Sequence, residues 1–314
     1  MTYTAYPGVT TSTDADNYKK AITLQEIDLR TPEEMDFAPA VIMENTELLD
    51  LHFQLPKTST VPIFRIAEGQ TTPRQRVGWF DDGTSLYGYR GAVEVSDTVY
   101  ARGDYNMQWN TAVDAVVDGF AMAHDEEIMS SLYEGANTAN TTDANTEWSD
   151  QSGKNILGDV ASALRKVFKN QTNGYNQIKT NELSNMMLFY PSKLVMDMDL
   201  PELMFDNGTA GGQMGYNIPN ETQNSFLKRA RVTPIPTGRL NGQTFALGVI
   251  KSPKTAKHYS YNGPMPRIEN IRNSEESSSG MLMSQWFRTK VFPMSNTQST
   301  NDRIFIINGV ADSA

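Results

Sequence analysis

The chain has 314 residues and a formal net charge of −10, and this acidic balance argues against direct binding of nucleic acid, which needs a basic surface. It contains no cysteine, which excludes disulfides, thiolate metal sites and cysteine nucleophiles. Hydrophobic residues make up 39% of the sequence and the mean hydropathy is −0.48, so the chain can bury a sizeable core and still have an extended shape.

The N-terminal residues predict an arm with little core of its own. Residues 1–20 are rich in Thr, Asp and Asn, and they have neither the basic start nor the apolar core of a signal peptide. No apolar run in the sequence reaches the roughly 20 residues that a membrane-spanning helix requires. We therefore expect a protein that is made in the cytoplasm and has no membrane partner.

Residues 51–100 follow a period of two, which predicts β-strands. Valines alternate with polar residues from Val93 onward, and Asp82-Gly83 is a dipeptide typical of hairpin turns. The pattern predicts two long antiparallel strands that form a ribbon, with its tip between Ala67 and Gly83. Because an isolated two-stranded hairpin is marginally stable in water, we expect the ribbon to lie on another part of an assembly.

The predicted ribbon carries charged side chains of both signs. Such a mixture suits a soluble exposed ribbon, and it equally suits a ribbon that must find the surface of a neighbour in one register. The sequence leaves these two readings open. The candidate inter-subunit contact residues are Arg65, Glu68, Arg74, Arg76, Asp81, Asp82, Arg90 and Glu94.

A long helix is predicted over 107–135, with a stop at Gly135. The residues at helical spacing are Ala112, Val113, Ala115, Val116, Val117, Phe120, Ala123, Ile128, Met129 and Leu132. The next segment, 136–153, is polar and of low complexity, which predicts a mobile loop. A second helix is predicted over 155–171, and its apolar side consists of Ile156, Leu157, Val160, Leu164, Val167 and Phe168.

The part of the chain from Met186 onward is predicted to contain mainly strands. Met186–Tyr190 reads as a buried strand that ends at a proline and leads into a short helix, and a glycine-rich loop follows at 205–217. Two more strands are predicted on either side of Asn241-Gly242. Two long strands, at 280–294 and 302–310, complete the chain.

The sequence offers little catalytic chemistry. His52, His124 and His258 are far apart and in no metal-ligand spacing, which favours structural histidines. The acidic stretch that follows His124 favours a solvated helix face over a cation site, and the glycines of 208–215 match neither a P-loop nor a dinucleotide motif. We therefore predict no catalytic, cofactor-binding or metal-ligating residues, and not an enzyme.

The order of these parts resembles the major capsid proteins of tailed phages and archaeal tailed viruses, which share the Hong Kong 97, or Johnson, fold. The resemblance implies an α+β fold with an N-terminal arm at 1–50 and an extension loop at 51–100. It implies a peripheral domain at 101–154 and 261–314, with 107–135 as its spine helix. Residues 155–260 would form the axial domain.

The resemblance also implies a function. Copies of the chain would assemble as hexamers and pentamers into an icosahedral shell around double-stranded DNA, in a virion assembled in the host cytoplasm. Expected partners are a separate scaffolding protein, a portal and a decoration protein, and no cofactor is expected. Two alternatives stay open at this point: an encapsulin-type compartment shell, and an enzyme or binding module that depends on Asp or Glu.

Overall fold

The structure is a computed structural model, and it describes residues 30–46, 52–56, 79–96, 105–150, 155–169, 178–179, 181–199, 231–261, 267–273, 278–292 and 300–312. Over these ranges the chain is α+β, with two five-stranded sheets and a two-stranded ribbon. The strands are β1 (Ile42–Thr46), β2 (His52–Pro56), β3 (Trp79–Ser85), β4 (Tyr87–Ser96), β5 (Thr141–Asp143), β6 (Met186–Pro191), β7 (Val232–Thr237), β8 (Phe245–Ile250), β9 (Ala256–Tyr261), β10 (Arg267–Asn273), β11 (Ser278–Val291) and β12 (Ile304–Asn308). The helices are α1 (Tyr105–Glu134), α2 (Ile156–Lys169) and α3 (Val195–Asp199).

The two-stranded ribbon is formed by β2 and β3, which pair antiparallel as predicted for this part of the chain. The predicted turn at Asp82-Gly83 is wrong, because both residues lie within β3 and Gly83 pairs with Gln54. Strand pairing outweighs the local turn preference of this dipeptide. The residues that join the two strands, 57–78, fall outside the described ranges together with most of the predicted tip.

The first sheet has the strand order β1-β9-β11-β10, and β4 pairs with β11 as well. Strand β11 is its centre: Phe287 pairs with Tyr87 of β4 on one side and with Ser260 of β9 on the other. The predicted second ribbon strand is therefore split, since β3 belongs to the ribbon and β4 to this sheet. The predicted alternation is present in β4, where Val93 is buried and Glu94 is exposed.

The second sheet has the order β5-β12-β8-β6-β7, and it is apolar on both faces. Every residue of the central strand β8 is buried. Because β6 lies between β7 and β8, Asn241-Gly242 does not join a hairpin, contrary to the simplest interpretation of the two predicted strands. β7 pairs with β6 and carries Pro234 and Pro236.

Strand β12 pairs with β8 and β5, and so the two long C-terminal strands enter different sheets. β12 comes from the segment predicted as peripheral, whereas β8 comes from the segment predicted as axial. Sheet membership thus crosses the expected boundary near residue 261, and the division into arm, extension loop, peripheral and axial domains stays a prediction.

Helix α1 confirms the predicted long helix and packs on both sheets. Val117 and Phe120 join the cluster over the first sheet, while Ile128 and Leu132 join the cluster over the second. Ala115 was predicted to be on the apolar stripe but is exposed. Within the described ranges, no helix combines the length and the apolar character needed to cross a lipid bilayer.

Gly135 ends α1 as predicted, although without a left-handed backbone. Its N–H donates to the carbonyl of Ser131 at 2.9 Å. A Cβ at this position would lie 2.6 Å from Cγ1 of Val291, at the end of β11. The glycine is therefore required for the close approach of helix and strand.

Helix α2 packs on the face of the second sheet opposite α1, with Ile156, Val160 and Val167 buried against it. Phe168 was predicted on the apolar side, but it is 43% exposed. Helical geometry accounts for this, because Phe168 follows Val167 directly and consecutive residues point about 100° apart around a helix.

The segment predicted as a mobile polar loop, 136–153, is structured over its described part. Residues Thr138–Asn140 form a 3₁₀ turn and β5 adds to the edge of the second sheet by parallel pairing with β12. Trp148 is fully buried, and its indole N–H donates to Asp159 of α2 at 3.1 Å. The segment was predicted to be a mobile loop because its composition is polar. Its order comes from hydrogen bonds to other elements, β12 and α2, which the local sequence does not show.

We expect Gly248→Ala to lower the free energy of unfolding by about 1–3 kcal/mol, the cost of overpacking a filled core. A Cβ at Gly248 would lie 2.0 Å from the ring of Phe305, its partner on β12. The control is Gly119→Ala on the exposed side of α1, which meets nothing within 4 Å. This control should raise stability by about 0.5–1 kcal/mol. Guanidinium unfolding curves measure both, and a neutral Gly248→Ala would contradict the packing.

Candidate functional site

The charged residues predicted as inter-subunit contacts are not brought together by the described structure. Arg65, Glu68, Arg74 and Arg76 lie outside the described ranges. Asp81 and Asp82 lie in the ribbon strand β3, whereas Arg90 and Glu94 lie in the first sheet on β4. Their role in contacts between subunits stays a prediction.

Arg90 and Glu94 lie on one exposed face of the first sheet. Arg90 pairs with Ser284 and Glu94 with Gly280, and paired residues project to the same side of a sheet. We call the side turned away from α1 the outer face; its described residues include Arg90, Ala92, Glu94, Tyr259, Tyr261, Trp286 and Arg288. It combines charged side chains with half-exposed aromatic ones, a composition typical of protein interfaces.

The aromatic part of the outer face is held in place by its neighbours. Leu86 and Tyr259 are buried at its centre, and Trp286 and Tyr261 pack against them with ring centroids 6.3 Å apart. The guanidinium of Arg288 lies 4.8 Å above the ring of Tyr87. This part of the face is therefore a preformed surface.

The opposite side of the first sheet holds a buried histidine pair that the sequence did not predict. Nδ1 of His124 on α1 lies 2.8 Å from Nε2 of His258 on β9. The outer nitrogens also have partners: Nε2 of His124 lies 2.9 Å from Oε1 of Gln285, and Nδ1 of His258 lies 2.8 Å from Oγ1 of Thr289. The ring of His124 stacks on Phe287 with centroids 3.6 Å apart. All four ring nitrogens of the pair therefore have a hydrogen-bond partner within the described structure.

Burial determines the charge of this pair. Both imidazoles are almost completely excluded from solvent. Desolvation lowers the pKa of His124 to about 4, although its hydrogen bond to Gln285 opposes the shift. Desolvation, with the nearby His124, lowers the pKa of His258 well below its usual value. Both rings are therefore neutral at pH 7.

One helical turn further on, Glu127 joins α1 to the same sheet. Its Oε1 accepts from the backbone N–H of Thr289 at 3.2 Å, and its Oε2 accepts from the hydroxyl of Tyr89 at 3.2 Å. Burial, followed by the proximity of Glu127, raises the pKa of the Tyr89 phenol. Helix α1 is thus attached to β4 and β11 by polar contacts as well as by apolar packing.

Asp125 attaches α1 to the chain that precedes β1. Its two oxygens accept the backbone N–H groups of Phe37 at 2.9 Å and Asp36 at 3.0 Å, and Nε of Arg239 lies 3.2 Å away. Burial raises the pKa of this carboxyl, and the three hydrogen bonds oppose that shift. The predicted solvated acidic face is wrong here, since His124 and Asp125 are buried and Glu127 is partly buried.

A buried ion pair holds the second sheet. Arg303, which directly precedes β12, is fully buried, and its Nη2 lies 3.1 Å from Oε2 of Glu182. The hydroxyl of Ser252 donates to Oε1 of Glu182 at 2.7 Å. Burial alone would raise the pKa of Glu182, but the hydrogen bonds from Ser252 and from the N–H of Lys179, together with Arg303, outweigh it and lower the pKa.

Sequence reasoning missed these polar contacts, though one signal was present. His124 is four residues from Phe120 and from Ile128, so helical spacing alone places it on the apolar stripe. Its partners are Gln285 of β11 and His258 of β9, and the contact of His258 with Thr289 follows only from the register of β11 against β9. In the part of the chain that the structure describes, no group of three His, Asp or Glu side chains could hold a metal ion.

No family model matches the sequence, and no curated protein matches it. Solved structures do match. A virus-like particle from Pyrococcus furiosus superposes with a TM-score of 0.53 over 91% of this chain and 98% of that chain, at 9% identity. The capsid of Myoviridae phage XM1 gives a TM-score of 0.57 over 86% and 90%, at 11% identity. This chain has the Hong Kong 97 capsid fold.

The Hong Kong 97 fold was predicted from the order of the elements, and the fold class is confirmed. The holo-SrpI encapsulin complex of Synechococcus elongatus also matches, with a TM-score of 0.53 over 86% of this chain and 85% of that chain, at 10% identity. At these identities the likeness establishes the fold.

We expect Glu182→Gln to lower the free energy of unfolding by about 3 kcal/mol, because it removes the carboxylate whose Oε2 lies 3.1 Å from Nη2 of the fully buried Arg303. The same substitution at Glu44, whose ion pair with Lys257 is partly exposed, should cost at most about 1 kcal/mol. Guanidinium unfolding measures both variants.

The effect of Glu182→Gln should also depend on pH. The folded protein lowers the pKa of Glu182. The stability that the Glu182 carboxylate contributes is therefore fully present above its pKa in the unfolded chain, about 4.3, and is lost as the pH falls through its pKa in the folded chain. Equal losses for the Glu182 and Glu44 variants at pH 7 would contradict the assignment of Arg303 as a buried charge that depends on Glu182.

Proposed function

We propose that this chain is the major capsid protein of a tailed virus, and that it assembles as hexamers and pentamers into an icosahedral shell around double-stranded DNA. The observation that carries the proposal is the Hong Kong 97 fold, shared over most of the chain with the phage XM1 capsid and the Pyrococcus furiosus particle. The role is structural rather than catalytic.

The ribbon gives a physical reason for assembly. Within the described ranges, β2 and β3 pair with each other and with no third strand. A two-stranded ribbon is marginal in water, and it gains stability by lying on a neighbouring copy. A contact between unlike surfaces repeats from copy to copy and closes into rings, which is how pentamers and hexamers arise.

The eight charged residues from Arg65 to Glu94 are proposed to set the register of these contacts. The exposure of Arg90 and Glu94 on the outer face supports such a role, and Arg90 pairs with Ser284, two residues from Trp286. Opposite charges at the rim of an interface guide association and suppress wrong registers. In the proposed shell, residues 1–50 are the arm, 51–100 the extension loop, 101–154 with 261–314 the peripheral domain, and 155–260 the axial domain.

The net charge of −10 suits a wall around a packed polyanion, because strong adhesion to DNA would oppose both filling and release. The proposal includes a separate scaffolding protein, a portal and a decoration protein as partners, and a virion assembled in the host cytoplasm.

A compartment of the encapsulin type is the second candidate, favoured by the likeness to the SrpI encapsulin. Particles with nuclease-protected DNA support the virus, and particles with protein cargo support the compartment.

The first test is assembly with and without the residues that join β2 to β3. Pro56 and Trp79 are paired, so residues 57–78 can be replaced by Asn-Gly to close a short hairpin. Light scattering and electron microscopy of the full chain, co-expressed with neighbouring genes, should show shells, and the shortened chain should remain as single subunits. Circular dichroism must show that the shortened chain is folded. A full chain that stays monomeric under all these conditions contradicts the proposal.

The second test is a charge reversal on the outer face. Arg90→Glu should weaken association by at least about tenfold, equal to about 1.4 kcal/mol. The control is Arg165→Glu on α2, which changes the net charge equally at an exposed position on another surface. Sedimentation velocity at moderate salt compares the variants. Equal weakening by both would show a general charge effect and would remove Arg90 from the proposed contact.

A further inference from the structure

The contacts of the His124–His258 pair fix where its protons are. Oε1 of Gln285 can only accept, so Nε2 of His124 carries a proton and donates to it. Nδ1 of a neutral His124 is then an acceptor, and Nε2 of His258 must donate to it. Nδ1 of His258 accepts in turn from the hydroxyl of Thr289. The result is one directed chain of hydrogen bonds from β11 through both rings and back to β11.

This chain of hydrogen bonds is complete only while both rings are neutral. A proton added at Nδ1 of His124 would face the N–H of His258 at a nitrogen–nitrogen distance of 2.8 Å. A proton added at Nδ1 of His258 would make an imidazolium whose described hydrogen-bond partners include no carboxylate. A buried charge without a counter-charge is strongly unfavourable.

We propose that the His124–His258 pair is an acid-sensitive joint, which holds helix α1 on the first sheet at neutral pH and releases it when the rings take up protons. The pair joins three elements, because His124 is on α1, His258 is on β9, and Gln285 and Thr289 are on β11. Loss of its hydrogen bonds would therefore loosen the contact of α1 with both strands. The inference concerns this chain by itself and does not depend on its assembling into a shell.

Among the residues that the structure describes, few charged groups face the pair from the surrounding elements. On α1, Asp125 points to Arg239 and the backbone before β1, and Glu127 binds Tyr89 of β4 and Thr289. The other charged residues of β9 and β11 near the pair have the alternate strand positions and belong to the outer side of the sheet; they are Lys257, Arg288 and Lys290. Tyr259 also lies on that side, beside Glu44.

The direction of the pH effect follows from the pKa values. Burial lowers the pKa of His124 to about 4 and lowers that of His258 as well, against about 6.5 in an unfolded chain. Between these two pH values, the state in which α1 is released from the first sheet binds more protons than the state in which α1 is packed on it. Acid therefore favours release. The contact between helix and sheet is therefore at full strength above about pH 6.5 and weakens as the pH falls toward 4.

Hydrogen–deuterium exchange of the full chain, corrected for the intrinsic effect of pH on exchange, tests the joint. Peptides from β9, β11 and the middle of α1 should lose at least about tenfold in protection between pH 6.5 and pH 4, because one unit of pKa shift is a factor of ten in a linked equilibrium. Peptides from β8 and β12 in the second sheet are the internal reference and should keep their protection.

The matched variant is His124→Gln combined with His258→Gln. A glutamine amide donates and accepts as the neutral imidazole does here, but it takes up no proton in this pH range. The variant should keep its protection in the first sheet down to pH 4. If it loses protection at the same pH as the natural chain, or if the natural chain loses it first in the second sheet, the proposal is wrong.

A spectroscopic measurement on the natural chain decides the matter even if the double variant does not fold. Solid-state NMR of ¹⁵N-labelled histidine reports the protonation of each ring, and His52→Gln identifies the third signal. Both buried rings should be neutral with Nε2 protonated at pH 7, and they should charge together with the loss of protection. Charged rings in a fully protected first sheet, or the opposite tautomer, would overturn the proposal.

Discussion

Helix α1 packs Val117 and Phe120 into the apolar cluster over the first sheet and Ile128 and Leu132 into the cluster over the second, and these contacts join the two sheets. The apolar clusters at its two halves supply most of the attraction, in proportion to the area they remove from water. Between and beside them, His124, Asp125 and Glu127 bind three different parts of the chain. Apolar packing fixes where the helix lies, and the polar groups fix its rotation and register.

Much of the architecture could be predicted because it is written in local patterns. The period of α1, the alternation in β4 and the apolar run of β6 are each visible in a window shorter than one element. The order of these elements then identified the fold, since a ribbon followed by a long helix and a mixed domain is a distinctive sequence of parts. No short motif was needed, and none is present that matches a known active site.

What could not be predicted depends on partners far away in the chain. Asp82-Gly83 and Asn241-Gly242 have the composition of hairpin turns, but β3 continues through the first and β6 separates the strands around the second. Trp148 is buried although its segment is polar, because its indole N–H donates to Asp159 of α2 and its ring lies in the apolar cluster beside that helix. Likewise, the meeting of His124 with His258 requires the register of three elements, which no local pattern contains.

The two edge strands of the second sheet, β5 and β7, limit how copies of this protein can associate through that sheet. β5 has only three residues, and β7 has proline at two of six positions, where no N–H is available to a further strand. A concentrated β-rich protein can form fibres when further strands add to the edge of a sheet. In this sheet the prolines of β7 block such pairing at one edge, and β5 is too short to support much pairing at the other. Copies of this chain that meet at high local concentration therefore gain little from edge-to-edge pairing through this sheet.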